Sequence, residues 1–145
     1  MLKISSEQIR TFQPDAAEAF VRRVMDYLRD NHADEEVRYP HGAMKVAEIG
    51  DDVLAENVRG GLARAGDYGI DWKSTLLSYV VLMFLTAPNF DEYPKAEQFF
   101  RNTEKVTDEE LEAFLDVMTD EDWQRVESNY DAAAWNLPLE RGAEV

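Results

Sequence analysis

The run Leu76 to Ala87 (LLSYVVLMFLTA) constrains this chain more than any other feature. Twelve nearly unbroken apolar residues are too few to cross a bilayer, which takes roughly 20 as a helix. They are also too evenly apolar for a helix with one wet face. The run therefore predicts a central helix over about 72–87, surrounded by other helices. Building that surround needs apolar surface, and 45% of the 145 residues are hydrophobic and 11% aromatic. That suffices for one core in one domain.

The flanking segments predict the surrounding helices. Ser5 with Gln8 has the form of a capping box, opening a short helix through Ile9 and Phe12. Pro14 suits a first helical turn, and Phe20, Val21, Val24, Met25 and Leu28 form one stripe over about 14–30. Asn31 to Gly42 mixes charge, proline and glycine, and reads as a connection with room for one helical turn around Asp34 to Arg38. From about Ala43 to Tyr68, Val46, Ile49, Leu54, Val58, Leu62 and Ala65 keep the helical period, which Gly50 and Gly60-Gly61 weaken. Gly69 fits a left-handed cap, Ile70 its apolar contact, and Asp71 the cap of the next helix.

Pro88 ends the central helix, and Asn89 to Pro94 is turn-rich. Ala96, Phe99 and Phe100 mark a short helix. Thr107 with Glu110 opens the helix of Leu111, Phe114, Leu115 and Met118, and Thr119 with Asp122 opens one that carries Trp123, Val126, Tyr130, Ala133 and Ala134. No stretch alternates apolar and polar residues as a strand does. The expected architecture is all-α: a single domain over 1–145, ordered at about 4–138 with a frayed C-terminal tail, in a bundle of six or seven helices.

Thirty Asp and Glu against fifteen Lys and Arg give a net charge of -15, which argues against nucleic acid as a partner. The absence of cysteine excludes disulfides, thiolate metal sites and thiol nucleophiles. His32 and His41 flank Asp34, Glu35 and Glu36, but two histidines in a loop read as solvated rather than ligating, so no metal or cofactor is expected. There is no H-E-x-x-H, no EF-hand loop, no phosphate-cradling glycine loop and no G-x-S-x-G elbow. A carboxylate-based hydrolase is the weakest reading, because with thirty acids close carboxylate pairs are unavoidable and carry no information. The chain reads as a non-enzyme. Its N-terminus lacks a secretory apolar stretch, which points to the cytoplasm and away from the membrane.

Charge is unevenly distributed. Residues 104–131 hold eleven acids and two bases, a net of -9. Acidic first turns that favour the helix dipoles explain part of this. The functional reading is docking of a basic protein, with Asp108, Glu109, Glu112, Asp116, Asp120 and Glu121 as the contact residues. Trp135, beside Leu137 and Leu139, joins them as an anchor if that apolar cluster is exposed. Trp123 lies on an apolar stripe and reads as core. Nothing in the sequence bars self-association.

The segments Gly61-Leu62-Ala63-Arg64-Ala65-Gly66-Asp67-Tyr68-Gly69-Ile70, Leu82-Met83-Phe84 and Pro88-Asn89-Phe90-Asp91 resemble a group of small helical bacterial proteins encoded beside type VI secretion spike and effector genes. That group reads roughly G-[IL]-x-R-A-x-x-Y-G-I, L-M-F and F-D before a proline such as Pro94, and the resemblance covers about residues 5–95. It implies an adaptor or co-chaperone that holds a secreted effector, or the adaptor loading it, before delivery. An immunity protein that neutralises a basic toxin is the alternative. The acidic helices after residue 104 lie outside the resemblance.

Overall fold

The computed structural model describes residues 14–138. The helix expected over Ser5 to Phe12 and the tail from Leu139 lie outside these residues. The first element is helix α1, Pro14–Asn31, with Val21, Val24, Met25 and Leu28 buried as the stripe predicts. Arg29 fixes its far end by donating to the Ile49 carbonyl at 2.9 Å and pairing with Asp51 at 2.7 Å.

The helical architecture that the sequence predicts is the one observed, and the connection that follows departs from it only locally. Glu36–Tyr39 (β1) and Gly42–Lys45 (β2) form an antiparallel hairpin, with Val37 opposite Met44 and Tyr39 opposite Gly42. Along β1 the residues alternate between exposed and buried, placing Val37 and Tyr39 in the core. Pro40 cannot extend a helix, and Gly42 takes φ 141 at the turn, a conformation few other residues adopt. In place of the expected helical turn around Asp34 to Arg38, Asp34 lies in a turn and Glu36 begins the strand.

A second correction concerns the next helix. It begins at Asp51 rather than near Ala43, so α2 spans Asp51–Asp67, with Gly50 extended at its N-cap (φ -66, ψ 158). Val46 and Ile49 are buried, but from a 3-10 turn at Val46–Glu48 and its cap. At the far end Gly69 adopts φ 79. The Ile70 N–H reaches the Ala65 carbonyl at 3.2 Å and the Gly69 N–H reaches Gly66 at 2.9 Å, the paired bonds of a Schellman cap. Ile70 is buried beneath the corner.

Helix α3, Lys73–Leu85, is the central one. Its N-cap falls at Trp72 rather than Asp71, and Asp71 accepts from Lys105 Nζ at 2.8 Å. Gly61 of α2 lets the two helices approach closely, since a Cβ there would lie 2.8 Å from Met83 Sδ. The surround is incomplete, for Ser78 and Leu85 face solvent. A 3-10 turn at Phe90–Glu92 leads into α4, Pro94–Asn102. Tyr79, Phe90 and Phe100 pack together at 5.1–6.0 Å between ring centres, and Phe114 joins at 5.8 Å from Phe100.

Helices α5, Asp108–Val117, and α6, Asp120–Ser128, start where their caps predict. Thr107 accepts from the Glu110 N–H at 3.3 Å. Thr119 and Asp122 form the full reciprocal box, at 3.1 and 2.9 Å. Helix α6 stops earlier than expected, and Ala132–Ala134 form a separate 3-10 turn. The last described residues run back over the hairpin and α2. Tyr39 donates to Asn57 Oδ1, and Asn57 Nδ2 donates to the Asn136 carbonyl at 2.7 Å. Tyr130 accepts from the Arg38 N–H at 3.1 Å, and its ring carries the Arg38 guanidinium at 4.1 Å. Among the described residues the fold is mostly helical, with six α-helices and one small hairpin.

Candidate functional site

The acidic residues of the expected docking surface divide into two kinds. Asp108 is structural as well as exposed: its two oxygens accept from Ser74 at 2.7 Å and Thr75 at 2.5 Å, tying α5 to the start of α3. Asp122, which was not among the expected contact residues, is also tied down. It accepts from Lys95 at 2.8 Å, from Tyr93 at 2.7 Å and from the Thr119 N–H at 2.9 Å. Lys95 first, then the Thr119 backbone, hold its carboxyl far below the usual carboxylate range. Glu121 pairs with Arg125 one turn on, at 3.1 Å.

Glu109, Glu112, Asp116 and Asp120 are different. All four are exposed, and among the described residues none has an ion-pair partner. Neither base of the acidic region reaches them: Lys105 turns away to Asp71 and Arg125 is held by Glu121. Glu109, Glu112 and Asp116 fall at helical spacing along one side of α5. Val117, 57% exposed, lies beside Asp116 at the end of the same helix. The face thus combines uncompensated negative charge with an apolar contact point.

Trp135 does not belong to that surface. It is 3% exposed, its ring lies 4.8 Å from Phe84 and 6.0 Å from Tyr39, and its indole N–H donates to Tyr130 at 2.9 Å. Its role is to anchor the C-terminal segment in the core, so the expectation of an exposed anchor is corrected. Trp123 is half-buried and meets Phe114 edge-on at 6.5 Å.

Residues from the segments Gly61 to Ile70 and Pro88 to Asp91 meet in space. Asp91, only 3% exposed, accepts from Arg64 Nη1 at 3.1 Å and from the Tyr68 hydroxyl at 2.5 Å. Arg64 also donates to the Pro88 carbonyl at 2.9 Å. Two segments 23 residues apart are so locked together, the end of α2 against the turn after α3. Burial and then the Asp91 hydrogen bond push the Tyr68 phenol well above its ordinary pKa. Tyr79, wholly buried, lies beside the same carboxylate. Burial first, and Asp91 next, hold its proton more firmly still.

This cluster forms one wall of an open cleft of about 930 Å³, which α4 and Thr103-Glu104 close on the other side. Five carboxylates and two arginines line it. Arg101 faces Glu97 at 3.8 Å, and Arg64 reaches Glu92 at 3.7 Å. None of the cleft residues was singled out as a contact residue in the sequence. The one signal for them is that Arg64, Tyr68 and Asp91 interrupt stretches otherwise rich in apolar and small residues.

The two histidines sit apart, His32 against Tyr27 and His41 stacked on Tyr39 at 5.4 Å. Among the described residues no three His, Asp or Glu side chains are grouped to hold a metal ion, and no helix is long and apolar enough to cross a membrane. No protein-family model matches the chain, and no curated protein or solved structure matches it.

Proposed function

We propose that this chain acts in the cytoplasm, not as an enzyme, by binding a protein with a basic surface, as an adaptor or co-chaperone that holds a type VI secretion effector or its loading adaptor before delivery. The observation that carries the reading is the exposed face of Glu109, Glu112 and Asp116 on α5, with Asp120 at the start of α6, whose charge no ion pair offsets among the described residues. Glu109 and Asp120 lie in first helical turns, where the dipole favours them, but Glu112 and Asp116 have no such role, and exposed unpaired charges contribute little to stability. Such a face does accelerate encounter with a positively charged partner and repels acidic competitors. Val117 in the same neighbourhood offers the apolar contact that lengthens such an encounter.

Deleting the gene and following effector secretion separately from self-intoxication tests the proposal. Loss of secretion from cells that stay resistant to their own effector is the expected result. Unchanged secretion overturns the loading role, and self-intoxication with secretion intact assigns the chain to immunity instead.

A further inference from the structure

After α6 ends at Ser128, the described chain forms no further α-helix or strand, only the 3-10 turn Ala132–Ala134. Trp135 is the one buried residue between Asn129 and Pro138. The hydrogen bonds that hold this segment come from distant parts of the chain. Asn89 clamps its start from both sides, donating to the Asn129 carbonyl and accepting from the Asp131 N–H, each at 3.0 Å. Asn57, wholly buried in α2, donates to the Asn136 carbonyl at 2.7 Å, and Asn136 Nδ2 donates to Glu56 Oε1 at 3.0 Å. No regular secondary structure of its own keeps the segment in place.

Helix α2 is cut to receive it. Gly60 stands in the middle of that helix, where glycine is a poor helix former. A Cβ on residue 60 would collide with the Asn136 Cβ, so the glycine makes a notch for the segment. The groups beneath suit its departure as well as its presence. The Asn57 amide and the Tyr39 hydroxyl are polar, and water can replace the Asn136 carbonyl once it lifts. Tyr130 accepts from the Arg38 N–H at 3.1 Å as well as from the Trp135 indole at 2.9 Å, so it keeps a partner on the hairpin when the indole leaves. The chief apolar resistance is the Trp135 ring, seated between Phe84 and Tyr39.

We infer that Ala132–Pro138 is a strap that opens and closes as one unit, pivoting where Asn89 clamps Asp131, with Trp135 as its plug and Asn136 latched into the notch at Gly60. Opening bares the rings of Phe84 and Tyr39 and the Asn57 amide. The helices stay formed, because their backbone hydrogen bonds are local to each helix. Part of the domain thus passes from closed to open without global unfolding. The strap owes nothing to the acidic face of α5, and it stands or falls apart from the binding role proposed above.

The test is hydrogen exchange of the isotope-labelled full chain, followed by NMR at several low urea concentrations. The informative protons are the Trp135 indole N–H and the Ala134 and Trp135 amides, which donate to Tyr130, Asp131 and Ala132. They are expected to share one protection factor that hardly responds to urea and lies about tenfold or more below that of the α3 amides. Gly60→Ala should lower their protection about tenfold by overfilling the notch. It should leave the α2 and α3 amides no less protected, since alanine favours a helix. Asn136→Gly removes the side chain that a residue 60 Cβ would meet, so adding Gly60→Ala to it should have no further effect. Unequal protection among the three protons, or protection equal to that of α3, overturns the inference without any variant. So does a Gly60→Ala effect that is absent, that spreads equally to α2 and α3, or that persists undiminished beside Asn136→Gly.

Discussion

Replacing Asp91 by alanine removes the acceptor for two donors at once. Arg64 Nη1 at 3.1 Å and the Tyr68 hydroxyl at 2.5 Å both lose their partner. Hydrogen bonds to a charged group contribute roughly 1.5–3 kcal/mol each, so the undiscounted loss is about 5 kcal/mol. Two features reduce it. Arg64 keeps the Pro88 carbonyl at 2.9 Å and its side chain is 31% exposed, while half-exposed Tyr68 regains water. The small void left behind adds about 1 kcal/mol. The expected cost is therefore about 2–4 kcal/mol, which in a domain of this size lowers Tm by roughly 6–16 °C. Urea unfolding followed by circular dichroism measures it. Asp91→Asn keeps the shape and one acceptor, and should cost about half as much. In a double-mutant cycle with Arg64→Ala the coupling should be about 1–2 kcal/mol. If Asp91→Ala stays within about 0.5 kcal/mol of the natural chain, the network is not part of what holds the corner to the turn.

Other perturbations separate structural from functional residues. Trp135→Ala should destabilise by about 3–5 kcal/mol through the cavity it opens against Phe84 and Tyr39, with partner capture retained at temperatures where the variant is folded. Loss of capture by the folded variant would restore Trp135 as a contact residue. Reversing Glu109, Glu112 and Asp116 to lysine should change stability by no more than about 0.5 kcal/mol but slow association with the captured partner about tenfold at low salt. A rate constant that does not vary across a salt series would remove the electrostatic argument. Asp122 has a depressed folded pKa, so its stabilising effect is complete above the unfolded carboxylate value of about 4 and is lost as pH falls below it. Asp122→Asn should flatten the fall of Tm between neutral and strongly acid pH, and an identical acid limb in both proteins would refute the assignment. Tyr39, Tyr68 and Tyr79 have folded pKa values raised chiefly by burial. Their share of stability is present below the unfolded value of about 10 and lost as pH rises past it. Ultraviolet titration should show these three phenols ionising only as the chain unfolds in alkali.

How much of this was legible depended on whether the signal was local. The caps at Thr107, Thr119 and Gly69 are written in residues three or four positions apart, and the structure places them as read. The central helix followed from a run of apolar residues that needs no partner to be recognised. The hairpin was missed because β1 has only four residues, too few for alternation to stand out, though Val37 and Tyr39 do alternate with Glu36 and Arg38. Gly50 was read as a weak point inside a helix when it is the N-cap. Val46 and Ile49 satisfy the helical period by coincidence, reaching the core from a 3-10 turn instead. The charge of α5 and α6 was countable, but which acids are already bound was not. Asp108 is tied to Ser74 and Thr75 by contacts more than thirty residues long in sequence. The cleft was out of reach for the same reason, since Arg64 and Asp91 meet only because the chain reverses at Gly69 and again after α3.

The path of the final segment sets an order of events during synthesis. Trp135 fills a place between Phe84 and Tyr39, and Asn136 completes the bridge from Tyr39 through Asn57. While the ribosome still holds residue 136, the hairpin has no cover and a ring-sized gap stays open to water. The nascent chain can form its helices early, since their contacts are local, but the domain closes only once that stretch has emerged from the exit tunnel. A released chain cut short just before Tyr130 would thus be a nearly finished domain exposed to proteases at the hairpin.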